Sequence, residues 1–85
     1  MTTNRNNLKV SLRGKTTPLG FEHGDIIDLS GIATIVDGVY AIVIDPQHAE
    51  TEIVFLTGPN RGRRVWMNND NTVYPCVQFD VEETS

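Results

Sequence analysis

Three arginines crowd one short stretch of this sequence. In LTGPNRGRRVWM, Leu56 to Met67, Arg61, Arg63 and Arg64 sit together between two apolar runs. A guanidinium is a planar fork of N–H donors that grips a carboxylate or a phosphate with two parallel hydrogen bonds. Gly58, Pro59 and Gly62 around the cluster are turn residues, and a turn fixed in this way loses little freedom on binding. Trp66 and Tyr40 offer the aromatic part of a contact, and arginine with aromatics is the composition that binding hot spots favour. Arg13 and Lys15, from the basic N-terminal segment, complete the candidate binding set of Arg61, Arg63, Arg64, Arg13, Lys15 and Trp66. The structural alternative is a solvated turn whose charges keep a sheet edge from aggregating. For Trp66 the flanking Val65 and Met67 favour a place in the core wall.

Other residues with reactive side chains form weaker patterns. His23, Asp25 and Asp28 are metal-ligand types, but their spacing matches no dedicated loop, and a solvated strand start is the expected role. His48 lies in a polar loop beside Pro46. Cys76 with a histidine would make a nucleophile–base pair, yet a lone cysteine among strand residues reads as a small core side chain. TGPNRGRR lacks the strand, glycine loop, lysine and helix of a phosphate-binding loop. No pair of carboxylates has the setting of an acid and a base. The expectation is no enzyme activity, no metal and no cofactor, in a chain too short to wall off a deep site.

The charges are segregated. The formal net charge is -4, yet all 7 Lys and Arg fall in two places: Arg5, Lys9, Arg13 and Lys15 near the start, and the three arginines of the turn. Between Phe21 and Asn60 there are only acids: Glu22, Asp25, Asp28, Asp37, Asp45, Glu50 and Glu52. Asp70, Asp80, Glu82 and Glu83 follow the turn. The mean charge therefore hides two basic patches on an acidic body. The single cysteine excludes an internal disulfide and a paired-cysteine zinc site, and suits a reducing, cytoplasmic setting. No apolar run approaches the roughly 20 residues needed to cross a bilayer, so no membrane partner is expected. The first residues have no apolar core of a secretory signal.

These residues must be positioned by strands, because no apolar pattern recurs at helical spacing over three turns. A length of 85 residues allows one domain. Residues 1–20 read as a basic arm, mobile in the free monomer, in which LKVSLR becomes an edge strand where it finds a partner. Residues 21–81 read as the folded body and 82–85 as an acidic tail. GDIIDLSGIATIV leads to Asp37-Gly38, a strong hairpin signal between apolar residues. GVYAIVID is a strand apolar on both faces, DPQHAE a loop, TEIVFLTG a strand, GPNRG a turn, RRVWM a short strand and NNDN a tight turn. In the last strand, TVYPCVQFDV, Val73, Val77, Phe79 and Val81 share one face, and Pro75 calls for an edge or an irregular start.

That order of strands and turns, from about Gly24 to Val81, resembles an SH3-like small β-barrel. The resemblance implies an all-β barrel of five or six strands, with a turn of 3₁₀ helix before the closing strand. The layout is also similar to KOW-type and Tudor-like barrels, and an OB-fold barrel remains open. In size and style the chain resembles phage-encoded accessory, inhibitor and virion proteins. Two functions are expected to compete. One is a protein-binding or self-associating domain that meets an acidic surface through the arginine turn and the basic arm. The other is a nucleic-acid backbone binder, disfavoured by the acidic body and the missing aromatic platform.

Overall fold

β-branched and aromatic residues at alternating positions build pleated strands. The structure, a computed structural model, describes residues 5–30 and 38–84, and within them the side chains of 12–30 and 38–78. Six strands form: β1 Arg5–Thr16, β2 Ile26–Asp28, β3 Tyr40–Pro46, β4 Glu50–Phe55, β5 Arg64–Asn68 and β6 Tyr74–Thr84. They make one antiparallel sheet in the order β1-β6-β2-β3-β4-β5. The fold is thus all-β, as expected. Among the described residues no pairing joins the edge strands β1 and β5, so hydrogen bonding does not close the sheet into a barrel.

One face carries the core. Phe21, Ile27, Leu29, Val39, Ala41, Val43, Ile53, Tyr74 and Cys76 are buried together, with Phe55, Val65 and Met67 packed against them. The rings of Phe21 and Tyr74 lie 5.8 Å apart at 57°, a tilted aromatic contact. Among the described residues no α-helix covers this face. The sheet's own twist and coiling must bury it. Cys76 is a core side chain, as its type suggested.

Several local expectations need correction. The 3₁₀ turn is Pro18–Gly20, ahead of β2 rather than ahead of the last strand. Before β6, Asp70 Oδ1 accepts the Thr72 amide at 2.9 Å and Oδ2 accepts the Tyr74 hydroxyl at 3.3 Å. This side-chain turn satisfies an amide that a helical turn would otherwise use. β6 is an internal strand between β1 and β2, not an edge. Pro75 sits at the start of β6, past the last β2–β6 pair of Ile27 with Cys76, so its missing N–H interrupts no such pair; this is the irregular start that its type called for. Val73 lies outside β6 and is exposed. The expected strand over residues 31–37, with Asp37 of the hairpin, lies outside the described residues; Gly38 has the positive φ, 80°, that such a turn requires.

The basic arm takes a definite place. Arg5–Thr16 pairs with β6 from Arg5↔Thr84 to Thr16↔Tyr74. The register shifts between Leu12 and Gly14, which makes Arg13 the extra residue of a bulge. A bulge re-aims the side chain it carries, and here that side chain is a guanidinium turned toward the body.

Candidate partner-binding surface

The turn after β4 is built by backbone. Gly62 N–H donates to Phe55 O at 2.7 Å, Arg63 N–H to Asn60 O at 2.9 Å, and Arg61 N–H to Gly58 O at 3.2 Å. Gly58 and Gly62 both have φ of 87°, which L side chains rarely adopt. Gly58 also packs closely, since a Cβ there would lie 3.1 Å from Val39 Cγ2. The turn therefore rests on a core residue and holds its arginines off the body. Arg61, Arg63 and Arg64 are all exposed. Arg64 keeps 67% of its side-chain surface and has only a long contact, 3.9 Å, from Nε to Glu52 Oε2. Arg61 and Arg63 make no ion pair among the described residues. Three guanidinium groups thus stand on a braced turn with their donors largely uncommitted.

β5 continues from this turn. Its residues alternate strictly: Arg64, Trp66 and Asn68 are exposed, and Val65 and Met67 are half-buried against the core. Trp66, 46% exposed, is therefore not a wall residue of the core, contrary to the expectation from its neighbours. The period of two decides the matter, because apolar residues on both sides of a strand position lie on the opposite face. Trp66 stands opposite Glu52 in the register, on the same outer face as Arg64. On the inner face, Val65 and Met67 flank an open apolar cleft of about 230 Å³ that also touches Leu29, Ile53, Phe55 and Tyr74. The far side of β5 carries no strand among the described residues.

Arg13 belongs to a different chemistry. Its Nε and Nη2 donate to the two oxygens of Asp25 at 3.1 and 3.2 Å, Nη2 also reaches Gly20 O at 2.9 Å, and Nη1 meets Glu22 Oε2 at 2.9 Å. Asp25 is wholly buried and also accepts the Glu22 amide at 2.8 Å. The Asp25 hydrogen bond is the main cause that raises the Arg13 pKa further above its ordinary value, so the guanidinium stays charged. A buried carboxylate needs such a partner. Asp25 is therefore no solvated residue at a strand start, and Arg13 clamps β1 to the loop before β2. Among the described residues no group of three His, Cys, Asp or Glu side chains is placed to hold a metal ion.

Lys15 sits elsewhere again. Opposite Pro75 in the register, it borders a groove of about 380 Å³ on the outer face, with Leu12, Ile26, Asp28, Tyr40 and Val77. This groove belongs to an apolar row that sequence reasoning missed. Through successive registers, Leu12, Val77, Ile26, Ile42 and Val54 stand side by side across the sheet and end at Arg64. The β-branched even positions of GVYAIVID were the signal. The structure does not bring the six candidates together: Arg61, Arg63, Arg64 and Trp66 share one end of the sheet, Lys15 lies toward the other, and Arg13 is engaged internally.

His23 and His48 are exposed. The Cys76 thiol is pushed up to about 11, mainly by burial, with nearby Asp25 adding to the effect; at neutral pH it is a protonated thiol, a poor nucleophile. No helix among the described residues is long and apolar enough to cross a membrane. Comparison of the chain with protein-family models, with curated proteins and with solved structures finds no match.

Proposed function

We propose that the chain is a non-enzymatic protein–protein interaction domain that meets an acidic partner surface through Arg61, Arg63, Arg64 and Trp66, with Lys15 and the basic segment 1–20 adding to the attraction. The observation that carries this reading is the braced turn: three exposed arginines beside an exposed tryptophan on a strand that has no outer neighbour among the described residues. The braced backbone lowers the ordering cost of the turn, and uncommitted guanidinium groups suit carboxylates. The SH3-like barrel stays part of the proposal, as a curl of the sheet that leaves the outer edge of β5 open. The size and style fit a phage-type accessory, inhibitor or virion protein acting in the host cytoplasm.

The test is binding to immobilised poly-glutamate and to a single-stranded oligonucleotide across a salt series. The wild type is expected to hold poly-glutamate, more weakly as salt screens the charges. The variant Arg61→Ser/Arg63→Ser/Arg64→Ser should lose most of that binding while keeping its fold. A steep salt slope with the oligonucleotide and none with poly-glutamate would replace this reading with nucleic-acid backbone binding. A triple variant that binds as the wild type does would remove the turn from function.

A further inference from the structure

We propose that the acidic partner includes a second copy of this chain, docked edge to edge and antiparallel along β5. The proposal rests on the protein-binding reading above and names its partner.

The backbone of β5 sets the geometry. Phe55 N–H donates to Arg63 O at 3.0 Å at one end, and Asn69 N–H donates to Ala49 O at 3.0 Å at the other. Both bonds follow the register that pairs Ile53 with Val65 and Thr51 with Met67. Hydrogen-bonded residues alternate along an antiparallel pair, so Arg63, Val65, Met67 and Asn69 face β4. Arg64, Trp66 and Asn68 then turn their N–H and C=O groups to the free side. Such a row is a template for a further strand.

A twofold axis through Trp66 matches that row to itself. Trp66 comes opposite Trp66 of the second copy, and Arg64 opposite Asn68 of the second copy, in both directions. Each of these pairs exchanges two hydrogen bonds, and no outward group on the three residues is left over. On the inner face Val65 comes opposite Met67 of the other copy, which extends the apolar layer over the open cleft. Past the strand ends Gly62 falls opposite Asp70, so Arg61 and Arg63 flank the Asp70 carboxylate of the other copy. Asp70 is exposed in the single chain. Backbone, apolar contact and charge therefore agree on one register. The neighbouring registers fit less well: a twofold at Val65 sets Arg63 against Met67, one at Met67 sets Val65 against Asn69, one at Arg64 opposes like charges, and one at Asn68 sets Val65 and Met67 against asparagines.

Edge protection is the competing account, since natural sheets blunt their edges with charge. It explains Arg64. It does not explain a half-exposed tryptophan flanked by two apolar residues at an open cleft. β1 makes the contrast, with four bases, no acid and a bulge, a combination that repels its own copy.

Sedimentation velocity over a concentration series tests the proposal. A five-residue edge lies at the small end of interfaces, so a reversible dimer with a Kd on the order of micromolar or weaker is expected. Asn68→Pro removes an outward N–H and leaves the bonds to β4 in place, because proline is tolerated on a free edge. It should raise the dimer Kd at least about tenfold, as should Arg61→Glu/Arg63→Glu. In a sample mixing labelled and unlabelled protein, Val65 methyls should show contacts to the Met67 methyl of the other copy. A chain that stays monomeric up to its solubility limit overturns self-pairing, and so does a dimer that is indifferent to Asn68→Pro and lacks the Val65–Met67 contact. If such a chain still binds poly-glutamate through the arginine turn, the protein-binding reading survives alone. If the triple serine variant binds poly-glutamate as well as the wild type, that underlying reading falls whatever the oligomeric state.

Discussion

β1 and β5 are the two edges of one sheet, and the molecule treats them differently. β1 is long, carries a bulge, and is fastened where the bulge turns Arg13 onto a buried carboxylate. β5 is short and regular, with nothing fastening its outer side among the described residues. Basic residues mark both edges, and net charge cannot separate them. On β1, Arg13 is held by four acceptor contacts and serves the fold. At β5, Arg64 and the two arginines of the turn before it are exposed and serve contact, in the reading proposed above. The lesson is that a basic side chain's role follows from where its donors end, not from the sign of the patch it belongs to.

Breaking the β1 anchor should have the largest effect. Arg13→Ala leaves Asp25 buried without its counter-charge, and a buried charge without a partner is strongly destabilising. The denaturant midpoint should fall further than for any variant below. Arg13→Lys should not restore it, since one ammonium cannot span Asp25, Glu22 and Gly20 O as the fork does. A wild-type midpoint with lost partner binding would move Arg13 to the contact surface and erase the contrast between the edges.

The next test compares core with edge on adjoining strands. Ile53→Ala empties a fully buried site and should cost about 2–5 kcal/mol of stability. Trp66→Ala, opposite Glu52 on the outer face, should cost about 1 kcal/mol or less despite its larger side chain, because its surface is half in water already. Chemical denaturation of both variants checks this. Equal losses would return Trp66 to the core.

The alternation that puts Trp66 outside was legible in RRVWM, and so was the turn chemistry of GPNRG. The error came from weighing neighbours in sequence above neighbours on a face. The Arg13–Asp25 clamp was not legible. Its partners are 12 residues apart, and strand parity alone cannot announce the bulge that aims Arg13. Gly14 directly after Arg13, with φ of 81°, was the one local hint. The order that seats β6 beside β2 is a long-range fact, set by which apolar faces fit together, and no short window of sequence carries it. The apolar row from Leu12 to Val54 was visible only as strand-by-strand alternation. Its continuity needs the registers.

A smaller effect appears in alkali. Burial raises the Cys76 pKa from 9.0 to about 11, and burial, with Asp70, raises that of Tyr74 as well. Both groups are thus favoured in their protonated forms by folding. The stabilisation is full below the unfolded pKa and is lost as pH climbs to the folded one. For Cys76 that window runs from about pH 9 to about pH 11. The unfolding midpoint should be level just below the window and decline within it. Cys76→Ala should flatten the decline and leave the part due to Tyr74. A native thiol that reacts readily with iodoacetamide at pH 8 would show that Cys76 is not sealed in the core.

The smallest free energies belong to the edges themselves, and hydrogen exchange reads them. β2 pairs with β6 only at Val77 and Cys76, so residues 5–11 and 78–84 have each other as strand neighbours and, among the described residues, no third strand. A two-stranded ribbon is marginal on its own. Its amides should exchange far faster than those of Val39 to Ile44, in and beside β3, which lies between β2 and β4. In β5 the expected pattern is different in kind. In dilute protein Val65 and Met67 should be protected by β4, while Arg64, Trp66 and Asn68 exchange freely between them. As concentration rises, protection should grow at those three amides if β5 pairs with its copy, and should stay unchanged along β1. Strong protection across Arg5 to Lys9 in the dilute monomer would mean that the arm is as firmly held as the body. Protection that grows along β1 and not along β5 would reverse the assignment of the two edges.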